Sequence, residues 1–203
     1  MVERLYGDAI NESPQNLERL VPRRPDVAGH CRHSIGLGLK GLCVDGFVLA
    51  TGPHDPAFFP VYEACVELDV PIVITLGALP GVPAPMSASH PHNIDEVARR
   101  YPRLRILTSH AGWPYTSEML GVAFRHDNVW IENSFYHFAP GVSALMVEAA
   151  NGWLADRIMY ASAFPSAPLR ETLEAFAALP FTDEARRKVM HDNAADFLGI
   201  SGG

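Results

Sequence analysis

The chain has 203 residues, 48% hydrophobic and 19% charged, a composition that builds a globular core and excludes a disordered or fibrous chain. Sixteen Lys and Arg stand against 23 Asp and Glu, a net charge of -7, which repels phosphate backbones and anionic lipid heads, so neither nucleic acid nor a membrane surface is expected as a partner. No apolar run approaches the roughly 20 residues that span a bilayer, and Met1-Val2-Glu3-Arg4 lacks the apolar stretch of a signal peptide, so a cytoplasmic protein is expected.

Pro14, Pro22, Pro25 and the pair Arg23-Arg24 interrupt the opening of the chain, where only a helix around 15–20 fits the pattern. Residues 1–38 are therefore read as an irregular N-terminal segment, and 39–203 as one β/α portion. His30 and His33 fall in the irregular segment and are read as loop or capping groups in preference to metal ligands. Gly36-x-Gly38-x-x-Gly41 has the spacing of a dinucleotide loop but precedes a strand instead of opening a helix, which removes that reading.

From Leu39 onward, short β-branched runs alternate with amphipathic stretches, the pattern of successive β-α units around a parallel sheet. Strands are expected over 41–45, 71–77, 104–110, 128–134 and 157–162. Helices are expected over 56–68, 93–101, 115–125, 141–154, 168–178 and 182–198. In the first of these, Phe58, Phe59, Tyr62, Cys65 and Val66 form one apolar face. Thr182 followed by Asp183 and Glu184 marks a capped, acidic helix start. Residues 78–91 carry Pro80, Pro83, Pro85 and Pro91; so long a connection reads as a lid over a pocket or as a rigid arm for a partner subunit. Cys31, Cys43 and Cys65 are odd in number and lack Cys-x-x-Cys spacing, so reduced, mostly buried thiols are expected.

The runs Gly38-Leu39-Lys40-Gly41, Phe59-Pro60-Val61-Tyr62-Glu63-Ala64, Pro71-Ile72-Val73-Ile74, Ser109-His110-Ala111-Gly112-Trp113-Pro114, Asn128-Val129-Trp130-Ile131-Glu132 and Asn193-Ala194-Ala195 follow one another in a familiar order. Over about residues 38–200 the chain resembles the amidohydrolase-related family, metal-dependent hydrolases and decarboxylases that include aminocarboxymuconate-semialdehyde decarboxylase. The resemblance implies an α/β fold, an incomplete or distorted TIM-type (β/α) barrel with its active site at the C-terminal ends of the strands. It also implies a metal site built from a His-x-His, two further histidines and an aspartate. Of these only His110 is present. Thr75 and Ala163 stand at two of the other positions, and the His-x-His strand has no counterpart. A hydroxyl is a poor zinc ligand and a methyl is none, so no metal and no cofactor is expected, with zinc the fallback. His90-Pro91-His92 has the missing spacing but precedes a helix, and is read as a loop or cap.

Without a metal, His110 at the strand rim is expected to act as a general acid or base, the other reading being a relic imidazole bonded to a carboxylate. Asp45 and Glu132 are the candidate carboxylates beside it. Asp45 reads equally as a surface group, and Glu132 can instead face the covering helices and pair with an arginine. Thr75, Asn133, His137 and Ser162 complete the expected rim. Trp113 packs with Tyr115 under the loop or stacks on substrate. Two functions follow. The first is an enzyme acting on a small carboxylated or aromatic molecule by metal-independent hydrolysis, hydration or decarboxylation. The alternative is a catalytically inactive binding or scaffolding subunit, because unclosed strands leave edges to be covered in a homo-oligomer or a complex with a family member.

Overall fold

The computed structural model describes residues 17–20, 25–45, 50–78, 84–134 and 139–200. Six parallel strands form one sheet in chain order: β1 Leu17–Leu20, β2 Gly41–Asp45, β3 Ile72–Thr75, β4 Ile106–Thr108, β5 Val129–Glu132 and β6 Ile158–Met159. Each crosses to the next through helical structure, as parallel neighbours require. The helices are α1 Val27–Gly36, α2 Phe59–Leu68, α3 His92–Arg100, α4 Thr116–Arg125, α5 Val142–Ala150, α6 Leu169–Ala177, α7 Asp183–Arg187 and α8 Asn193–Leu198. This is the expected fold class, and the expectation for the opening residues is corrected. Leu17–Leu20 is not helical but pairs with Gly41–Val44, and Val27–Gly36 is a helix capped by the Asp26 carboxylate on the Gly29 N–H. Four residues are too short a window for helical and extended patterns to differ, and ladder pairing with β2 decides.

The two faces of the strands carry different chemistry. Leu42, Val44, Ile72, Ile74, Ile106, Val129, Ile131 and Ile158 are all fully buried, in one apolar cluster with Val61, Tyr62 and Cys65 of α2 and Ile94 and Val97 of α3. Burying each such side chain contributes about 1.5–3 kcal/mol. The alternate residues in register, Cys43 with Val73 and Asp45 with Thr75, point the other way, and polarity rises along them toward the C-terminal ends. Cys31, Cys43 and Cys65 are buried thiols outside any disulfide, as the sequence implies.

One sheet edge is closed from within. The Asn193 amide donates to the main-chain carbonyls of Ala155, at 2.8 Å, and Ile158, at 2.7 Å, and Tyr160 N–H donates to the Val189 carbonyl. The arm from α7 through a π-helical turn at Lys188–Asp192 into α8 thus satisfies the side of β6 that faces away from β5. In the proline-rich connection, the Ser89 hydroxyl donates to Gly77 O and the Asn93 amide to Ser87 O and Ala88 O, fastening its C-terminal half. No helix among the described residues is long and apolar enough to cross a membrane.

Candidate active site

Strand register sets a row at the C-terminal rim. Asp45 pairs with Thr75, and Glu132 pairs with Met159. Thr108 pairs with Ile131, so His110 and Asn133 each lie two residues beyond that pair, on neighbouring strands. Polar groups are buried along this rim: Asp45, Thr75, Ser109, Glu132, Asn133 and Ser134.

The segment after β4 turns sharply. His110, Ala111 and Gly112 have φ of 63°, 52° and 62°, and the left-handed region costs a non-glycine residue about 1–2 kcal/mol. Glycine is required at the third position, because an added Cβ would stand 2.8 Å from Met119 Cβ. The strained backbone is held from the next strand. Glu132 Oε1 accepts from His110 N–H at 3.2 Å and from the Ser134 hydroxyl at 2.8 Å, and Glu132 Oε2 accepts from Ser134 N–H. Glu132 therefore meets the main chain of His110 rather than its ring, and it does not pair with an arginine. Three donors on one buried carboxylate fix its position and turn both of its oxygens to the main chain of His110 and to Ser134.

The His110 ring is half-buried, and its Nδ1 bonds the Leu76 carbonyl. A carbonyl only accepts, so Nδ1 carries the proton, and in the neutral ring Nε2 carries the lone pair. Leu76 is fixed in turn by its own N–H to Ser109 Oγ at 3.4 Å. On the neighbouring strands, Thr75 Oγ1 lies 3.7 Å from Cys43 Sγ. Asn133 Oδ1 accepts from Ala161 N–H at 3.4 Å, and Ser162 Oγ accepts from Phe164 N–H at 3.1 Å. Trp113 is half-buried against the apolar core. His137 lies outside the described residues. His30 and His33 sit on α1. His90 accepts from His92 N–H and pairs with Glu118 at 3.3 Å, which makes it a strut between the proline-rich connection and α4. The sequence does not mark Cys43, Ser109 or Ser134 as rim residues. Counting back by two from Asp45 reaches Cys43, but nothing local marks Ser109 or Ser134, whose partners are main-chain groups on other segments.

The only group of three possible metal donors among the described residues is His92, Asp95 and Glu96 on the outer surface of α3, where Asp95 already meets His126 and Arg125 and Glu96 meets Arg99. At the rim, His110 and Asp45 are nitrogen and oxygen donors of the right kind for a divalent ion. They do not gather with a third donor, so the described residues do not fit a complete cation site and no step below runs through one.

The fold is shared with solved structures. An uncharacterised TIM-barrel protein from Bordetella bronchiseptica is 26% identical, with a TM-score of 0.82 over 97% of this chain and 71% of that one. A 2,6-dihydroxybenzoate decarboxylase from Rhizobium is 19% identical, with a TM-score of 0.71 over 91% of this chain and 70% of that one. A 5-carboxyvanillate decarboxylase from Novosphingobium aromaticivorans, bound to manganese and 4-hydroxy-3-methoxy-5-nitrobenzoic acid, is 18% identical, with a TM-score of 0.64 over 89% of this chain and 62% of that one. The manganese in that structure corrects the expectation of no metal and no cofactor, because it points to a divalent metal cofactor in the family. Thr75 and Ala163 remove two inherited ligands without excluding a metal, because a barrel mouth can draw donors from other positions. No protein of curated function matches the chain. Residues 22–200 match the family described as amidohydrolase, and with the parallel sheet and the histidine at its C-terminal rim, the chain belongs to the amidohydrolase family.

Proposed function

We propose that the protein is a decarboxylase-type lyase, or a hydrolase of the same lineage, acting on a small aromatic carboxylic acid at the C-terminal rim of the sheet. The observation that carries this reading is the His110 ring, oriented through its Nδ1–H to the Leu76 carbonyl at the end of the barrel where enzymes of this architecture place their chemistry. In this reading the imidazolium Nε2–H protonates the ring carbon that bears the carboxylate. The carbon–carbon bond then breaks, its electron pair returns to the ring and CO2 departs. His110, left neutral, recovers a proton from water. Glu132 acts through the main chain of His110 and is a positioning residue. Asp45 and Thr75, one strand apart, take hydroxyl substituents of the ring as acceptor and donor. Ser162 lines the far side of the rim.

The test is turnover of a panel of hydroxybenzoates, followed as arene product and released CO2, with and without added manganese. His110→Gln keeps a polar ring-sized group without the titrating nitrogen and lowers turnover by roughly 10²–10⁴-fold. An unchanged rate in that variant removes His110 from the chemistry. No turnover of any panel member in either condition, with binding retained, favours the inactive binding subunit.

A further inference from the structure

We infer that the side-chain amide of Asn133 is the donor that receives a carboxylate oxygen of the substrate; this rests on the reading above that the rim takes aromatic acids. Asn133 is 1% exposed, and its Nδ2 has no hydrogen-bond partner, although the atom is fully buried. A buried donor left unanswered costs about 1–3 kcal/mol, so native proteins leave few of them, and those that persist call for a reason. Reversing the amide does not remove the problem. The Ala161 N–H needs an acceptor, and Oδ1 supplies it at 3.4 Å; the flipped amide would set two donors against each other. The donor is therefore fixed in identity as well as place.

Its place is at the site. Asn133 follows β5 directly, and its neighbour Glu132 holds the main chain of His110. On the other side, Ala161 follows β6 and leads to Ser162. Asn133 thus links the tops of β5 and β6 at the C-terminal rim, next in sequence to the carboxylate that holds the His110 main chain. A neutral amide suits a carboxylate there better than a cation would. The donor orients the anionic oxygen through a charge-assisted hydrogen bond without pairing so strongly that loss of the charge as CO2 becomes unfavourable. Glu132 does not oppose such an anion at close range, because its own oxygens are turned to Ser134 and the His110 main chain.

The test compares 2,6-dihydroxybenzoate with resorcinol, which has the same ring and hydroxyls without the carboxylate. Nitrogen-15 spectra of the full chain report the Asn133 NH2 pair directly. The expected result is a downfield shift of one of its two protons on adding 2,6-dihydroxybenzoate, and none with resorcinol. Asn133→Asp keeps the acceptor for Ala161 N–H and replaces the donor with an anionic oxygen. It should weaken 2,6-dihydroxybenzoate at least tenfold while changing resorcinol less than threefold. If that variant does not fold, the wild-type spectra still decide. An NH2 pair that stays in place at saturating acid while the His110 ring signals move overturns the inference and leaves the proposed function standing; the donor then serves a sequestered water. Failure of every rim signal to move with either probe, with manganese present or absent, overturns the reading of the rim and the inference with it.

Discussion

Glu132 and Asp95 each hold a histidine, and they do it in opposite ways. Glu132 is buried at the rim and grips His110 by its main-chain N–H, adding both donors of Ser134. Asp95 lies on the outer face of α3 and accepts from the ring Nε2 of His126 at 2.7 Å, with Arg125 3.4 Å away. The first arrangement fixes a backbone in an unfavourable conformation and leaves the ring to other work. The second occupies the ring and ties α3 to the end of α4, a strut between two outer helices. The same two residue types therefore serve geometry in one place and surface cohesion in the other, and what separates them is which atom of the histidine is engaged.

The sharpest way to test the contrast is to remove each imidazole. His110→Gln should cost at least 100-fold in turnover of a hydroxybenzoate, whereas His126→Gln should stay within about twofold of wild type, since a surface strut has no part in proton transfer. Comparable losses in both would erase the distinction. Removing the carboxylates comes next. Glu132→Ala strands two main-chain N–H groups and a hydroxyl in a buried setting, and should lower stability by about 3 kcal/mol in urea unfolding. Asp95→Ala should cost less than about 1 kcal/mol by the same measurement. The Glu132 loss should also be nearly independent of salt, because its partners are buried main-chain groups. Between the two in size stands Asn193→Ala, which frees the carbonyls of Ala155 and Ile158 and should cost about 1–3 kcal/mol. A larger assembly in that variant than in wild type, by size measurement, would show that the C-terminal arm is what keeps the β6 edge from pairing.

The contrast also marks what the sequence could and could not tell. The strand at 41–45 forms over those residues, and the positions of β3 to β6 are legible because β-branched residues repeat between amphipathic helices. Their C-terminal ends were read too long: 104–110 contracts to Ile106–Thr108 because the chain enters the left-handed region at His110, a change that no side-chain pattern announces. The strand Leu17–Leu20 was hidden because its identity comes from pairing with β2. His110 stood out as a lone histidine in a distinctive run, and its neighbours Thr75 and Asn133 by place. The role of Glu132 was not legible: a carboxylate at the end of a strand reads as a partner for a side chain, and here its partners are main-chain N–H groups and the hydroxyl two residues on. A binding site for main-chain donors is a property of the folded backbone, and it leaves no trace in residue types.

The smallest expected effect is the most specific to the surface member of the pair. The hydrogen bond from His126 outweighs the opposing effect of burial and, with added attraction from Arg125, His126 and His92, holds the Asp95 carboxyl below its ordinary range. A carboxyl with a depressed folded-state pKa contributes stability above its unfolded value of roughly 4, and loses it as pH falls through the folded value. Asp95→Asn keeps an acceptor for His126 but carries no charge at any pH. It should therefore be less stable than wild type by a few tenths of a kcal/mol at pH 6, and the gap should close as pH falls through the depressed folded-state value, below which wild-type Asp95 is neutral as well. Added salt at pH 6 should narrow the same gap by screening Arg125. A gap that survives both acid and salt would mean that Asp95 acts through the geometry of its hydrogen bond, as Glu132 does. The difference between the two carboxylates would then be one of burial alone.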